Sequence, residues 1–169
     1  YDMQAEIKKV ELRNLALEDY KQLKNSMVEA YPEMANSYWR SSDIKKLLSI
    51  FPEGQLVILV DGVVVGSALS LIVDEKLVDK RHNYKQIIGD YTFSTHNPNG
   101  EILYGIDVFI HPNYRGLRLG RRLYDARKEL CEQLNLKAIV FAGRIPNYNQ
   151  YAKKLSPKNY IEKVKDKEL

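Results

Sequence analysis

Between Glu101 and Leu134 the chain runs without interruption through an apolar strand, a proline break, a basic turn with two glycines and an amphipathic helix. The strand is read from Ile102, Leu103, Ile106, Val108, Phe109 and Ile110, and His111-Pro112-Asn113-Tyr114 breaks it. The helix is read from Leu119, Leu123, Ala126, Leu130 and Leu134, which share one face. This order constrains the fold because it delivers a strand end directly to a helix N-terminus. The first amides of a helix have no acceptor within it and sit at the positive end of its dipole. A diphosphate placed there can accept several N–H bonds. Gly116 and Gly120 let a ligand approach the backbone, and Arg115, Arg118, Arg121 and Arg122 bring charge suited to phosphates.

The rest of the chain supplies a sheet for such a turn. Glu6 to Leu12 reads as a first strand, and Asn14 to Ala30 as a helix carrying Leu15, Leu17, Tyr20, Leu23 and Met27. Ser41-Ser42-Asp43 offers an N-cap for a second helix with Ile44, Leu47 and Leu48, which stops before Pro52. Gln55 to Val60 and Val63 to Val73 read as a hairpin closed by Asp61-Gly62. Asp74 to Gly100 is polar but holds Tyr84, Ile87, Ile88, Tyr91 and Phe93, so an ordered excursion with a short helix is expected, with a role over a substrate pocket as a hypothesis. Leu136 to Ala142 reads as a strand and Asn147 to Leu155 as a short helix stopped by Pro157. One more strand is expected at Tyr160 to Val164.

A chain of 169 residues, 44% of them hydrophobic, suits a single domain over 1–169 with its own core. Cys131 is the only cysteine, which excludes an intrachain disulfide and reads as a buried apolar side chain. His82, His96 and His111 lack ligand spacing, so no metal is expected. The absence of a long apolar run or signal peptide makes the cytoplasm the default compartment. The net charge of +4 fits either a nucleic-acid contact or a phosphate-rich cofactor.

The stretch Ile106-Asp107-Val108-Phe109-Ile110-His111-Pro112-Asn113-Tyr114-Arg115-Gly116-Leu117-Arg118-Leu119-Gly120-Arg121-Arg122-Leu123 resembles the acetyl-CoA-binding motif of the GNAT superfamily, whose turn is Gln/Arg-x-x-Gly-x-Gly/Ala. Arg115 and Gly120 match its first and last positions, while Arg118 stands where the family has its middle glycine. The resemblance implies an α/β (α+β) fold: a mixed, mostly antiparallel sheet with a splayed central strand pair and flanking helices. It implies acetyl-CoA as cofactor and N-acetyl transfer to a primary amine, either a small molecule or a protein lysine or N-terminus. By position, Val108, Phe109 and Ile110 would meet the pantetheine arm. Arg115, Gly116, Leu117, Arg118, Leu119, Gly120 and Arg121 would hold the diphosphate, and Asn147 would meet the pantetheine. Candidate bases are Glu101 and Asp107; candidate acids are Tyr148 and Tyr151. Glu29 and Glu33, near Tyr31, are further acidic residues that could attract a cationic amine.

The family closes with two strands after its last helix, and here Ser156 to Leu169 is short. The chain thus resembles the N-terminal module of bacterial proteins that carry a carbon–nitrogen hydrolase domain behind an acetyltransferase domain. Two rival readings remain at this level. One is an acyl-CoA-binding regulatory module with weak catalysis. The other is a nucleic-acid binder using Arg115, Arg118, Arg121, Arg122, Arg127 and Lys128 with Tyr114 and Tyr124.

Overall fold

A computed structural model describes residues 9–30, 32, 39–79, 84–114, 117–142 and 159–163. Their strands form one six-stranded sheet in sequence order: β1 (Val10–Asn14), β2 (Leu56–Val60), β3 (Val63–Val73), β4 (Ile102–Ile110), β5 (Ala138–Ala142) and β6 (Asn159–Lys163). Every neighbouring pair is antiparallel except β4 and β5, which run parallel. A parallel pair needs a crossover, and α5 (Leu119–Gln133) provides it.

Both faces of the sheet are covered, which explains the unbroken apolar run of β2. Val57 and Leu59 face a core shared with Leu23, Ile44 and Leu47 of α1 (Tyr20–Ala30) and α2 (Ser41–Ile50). Leu56, Ile58 and Val60 face the opposite side, with Leu119 and Leu123 of α5. Strand alternation sends successive side chains to opposite faces, so a strand buried on both sides must be apolar throughout. Asp61 and Gly62 turn the β2–β3 hairpin with φ of 53° and 84°, the left-handed pair that such a two-residue turn requires.

The structure moves two helix starts. Asn14 ends β1 opposite Leu56, so no helix begins there. The Asp19 carboxylate instead accepts from the Ala16 amide at 2.8 Å and from Arg13, giving a 3-10 turn at Leu17–Asp19 before α1. In α2, Arg40 rather than Ser41 is the N-cap residue, and its amide donates to Asp43 at the third helical position. Strand β1 extends to Asn14, two residues beyond its expected end.

The excursion after β3 is ordered. It forms α3 (Glu75–Asp79) and α4 (Tyr84–Ile87), and Ile87, Ile88 and Phe93 are buried in the core beneath α1 and α2. Strand β6 pairs with β5 through Asn159 to Lys163, one residue before the expected range. The expected helix at 147–155 lies outside the described residues.

Candidate functional site

The site begins with an irregularity in β4. Leu69 of β3 faces Asp107, but the next residue, Ser70, faces Gly105, so Ile106 is an extra residue in the ladder. Such a bulge bends a strand and resets which side chains share a face. Before it, Ile102, Tyr104 and Ile106 point to the α1–α2 core, and Leu103 points to the α5 side. After it, Phe109 occupies the α1–α2 core and Ile110 the α5 side. Asp107 therefore shares the α1–α2 side with Phe109.

Among the described residues the parallel pairing of β4 with β5 runs from Ile102↔Ala138 to Gly105↔Phe141, all of it before the bulge, and β4 continues to Ile110. Beyond the bulge the His111 amide donates to Val65 of β3 at 2.8 Å. Alternation then turns the amides of Val108 and Ile110 toward the β5 side of β4. The Val108 amide meets its neighbour's carboxylate there, Asp107 Oδ1, at 2.9 Å.

The start of α5 lies beside this edge, because Ile110 packs in one cluster with Leu119, Leu123 and Tyr114. The first bond of α5 is Arg122 N–H to the Arg118 carbonyl, 3.1 Å. The amides of Leu119, Gly120 and Arg121 precede it, and no side chain caps them from position 118. Among the described residues, nothing lies within 4 Å of a Cβ built on Gly120. Arg118 has φ +60°, a left-handed conformation that costs other residues more than glycine. That explains why a glycine suits this position and shows that an arginine can hold the same turn.

The sequence-derived residues divide as follows. Val108 and Leu117 are exposed, Ile110 is half-buried, and Phe109 and Leu119 are buried in the core, so the last two offer only backbone atoms. Arg121 is exposed and 3.8 Å from Asp125. Arg115, Gly116, Asn147, Tyr148 and Tyr151 lie outside the described residues. The two candidate bases are not brought together. Glu101 sits at the far end of β4 and accepts from the Glu75 amide at 3.0 Å, at the start of α3. Asp107 sits on the α1–α2 side of the bulge, and its Oδ2 accepts from the Trp39 indole at 2.8 Å.

Trp39 has no role in the sequence reading. It is buried, packs against Tyr91 and Phe93 at ring distances of 6.1 and 5.9 Å, and its carbonyl accepts from the Tyr20 hydroxyl. The excursion thus reaches the site through Tyr91, which is 46% exposed beside this indole. A lone tryptophan 68 residues from Asp107 carries no pattern that could have linked the two. His111, also unassigned, is buried behind β4; its Nε2 lies 3.3 Å from Glu29 of α1, and its Nδ1 accepts from the Asn113 amide. Arg127 belongs to no basic surface: it is 3% exposed and bonds to strands β3 and β4. Among the described residues no cluster of His, Cys, Asp and Glu is arranged to hold a metal ion, and no helix is long and apolar enough to cross a membrane.

A bulged strand thus ends beside the first turn of α5, which position 118 leaves without a side-chain cap. Residues 14–158 match the model of the acetyltransferase (GNAT) family, and the chain belongs to that family. It is 38% identical over 157 residues to the probable hydrolase YhcX of Bacillus subtilis (strain 168), covering 93% of this chain and 30% of that protein. It is 30% identical over 155 residues to the uncharacterized N-acetyltransferase YkwB of the same organism, covering 90% and 69%. Among solved structures, the GphF GNAT-like decarboxylase in complex with isobutyryl-CoA superposes with a TM-score of 0.66 at 19% identity, covering 86% of this chain and 72% of that one. At that identity the likeness concerns the fold.

Proposed function

We propose that this domain is an N-acetyltransferase that passes the acetyl group of acetyl-CoA directly to a primary amine. One observation carries the reading: β4 bends at its bulge beside the first amides of α5, with the Asp107 carboxylate at the bend. The residues fit the group. The Val108 carbonyl and the Ile110 amide would pair with the pantetheine arm, and the amides of residues 117–121, with the arginines there, would hold the diphosphate. The isobutyryl-CoA in the GphF structure supports an acyl-CoA for this fold.

Asp107 would take the proton of an incoming ammonium, leaving a neutral amine to attack. The new C–N bond forms as the C–S bond breaks; the nitrogen gives its second proton to solvent, and the thiolate takes a proton from solvent or from a side chain such as Tyr148 or Tyr151. Glu101, engaged at the start of α3, is the weaker candidate base. The match to 30% of a probable hydrolase supports a parent protein in which a carbon–nitrogen hydrolase domain follows this module. The test is thiol release from acetyl-CoA across a panel of peptide N-termini, lysine peptides, polyamines and small amines. Amine-dependent release is expected. Cofactor binding without release on any amine would favour a regulatory acyl-CoA-binding module, and no binding would overturn both readings.

A further inference from the structure

The bulge in β4 has a side chain lodged in it. Arg127 reaches from α5 under the sheet, and its guanidinium bonds both strands at the register break. Nη2 donates to the Leu69 carbonyl at 2.6 Å and to the Asp107 carbonyl at 2.7 Å. Nε donates to Ser70 Oγ at 3.0 Å. Leu69 and Asp107 are the facing pair next to the extra residue. The planar group thus fills the place where the two strands cannot bond one another regularly. Gly105 makes room for it, since a Cβ there would stand 2.7 Å from Nη1 and 2.9 Å from Cζ. On the β2 side the same stretch is secured by Gln55, whose carboxamide bonds both the amide and the carbonyl of Ser70.

Taking an arginine out of water carries a desolvation cost, so its place in the fold calls for a return. The return is geometric. In a regular strand Asp107 would alternate with Ile106 and face α5, as Leu103 does. The bulge instead puts Asp107 on the α1–α2 side against Trp39, and turns the Val108 backbone toward the β5 side of β4. We infer that Arg127 is a positioning residue for the transfer reaction, the wedge that holds the β4 bulge and thereby aims both the Asp107 carboxylate and the cofactor-binding edge. The catalytic part of this inference rests on the function proposed above; the geometric part does not.

The experiment uses two variants. Arg127→Lys keeps the charge but loses the planar fork. Gly105→Ala keeps Arg127 and pushes its guanidinium aside. Trp39 is the only tryptophan, so its indole N–H resonance reports the Asp107 bond without substrate. In folded Gly105→Ala and Arg127→Lys we expect that resonance to move toward the value of a water-bonded indole. We also expect kcat to fall about a hundredfold, the scale of an ångström's misplacement, and KM for acetyl-CoA to rise. A merely structural arginine would lower the melting temperature and leave the indole resonance and kcat of the folded fraction unchanged, and that result would overturn the inference. Should Arg127→Lys fail to fold, Gly105→Ala decides by the same readings. Should the wild type transfer no acetyl group, the proposed function fails while the indole measurement still decides the role of Arg127.

Discussion

Asp107 is where local chemistry and strand geometry meet. Two donors, the Trp39 indole and the Val108 amide, fix its carboxylate in place. Asp107→Asn is expected to lower kcat about a hundredfold with acetyl-CoA affinity little changed, because general-base help is typically worth 10²–10⁴. Steady-state kinetics beside a calorimetric titration checks this. His96 gives a pH prediction of a different kind. Its Nδ1 accepts from the Ile72 amide, it stacks on Phe51, and burial pushes its pKa below the ordinary histidine value, with Glu53 opposing weakly. The unfolded chain then binds a proton that the folded one refuses, so stability is full above the ordinary histidine range and is lost as pH falls through it. Melting temperatures from pH 7 to pH 5 should fall, and His96→Gln should flatten that slope. Asp107 was legible as a candidate because it stands in a motif. Trp39 and Arg127 were not, because their roles depend on contacts across the sheet, and Arg127 looked like one more surface cation.

At the scale of elements, the strand–turn–helix at β4–α5 was readable because apolar periodicity, Pro112 and the glycines all point one way. Strand β3 and the β2–β3 turn were readable for the same reason: Asp61-Gly62 leaves little choice. The helix starts at α1 and α2 were less so, because Asp19 and Asp43 cap from inside the helix and only the folded geometry shows it. The bulge was illegible, since one extra residue in a ladder leaves no mark on an apolar run. The α5 N-terminus supports the sharpest test by mutation. The Cβ of Gly120→Glu meets none of the described residues, and a carboxylate in a first turn complements the dipole by about 0.3–1 kcal/mol. Its melting temperature should stay level or rise while acetyl-CoA binding is lost. If the variant binds acetyl-CoA as the wild type does, the diphosphate is held elsewhere. Arg118→Gly should leave the fold intact and relieve up to about 1–2 kcal/mol of left-handed strain, measurable by urea unfolding.

For the whole molecule, the positive balance of the chain fits a phosphate-bearing ligand better than a nucleic acid. With Arg127 buried under the sheet, the basic stretch of α5 loses a central member, and Arg121 lies near Asp125. Acetyl-CoA should raise the melting temperature at moderate salt, and an oligonucleotide should not. The measurement that reaches the central claim most directly is residue-resolved amide exchange with and without acetyl-CoA. Protection should rise at Ile110 and the first amides of α5, and stay flat along β1 and β2. Protection that leaves these amides unchanged while acetyl-CoA is bound would contradict the account.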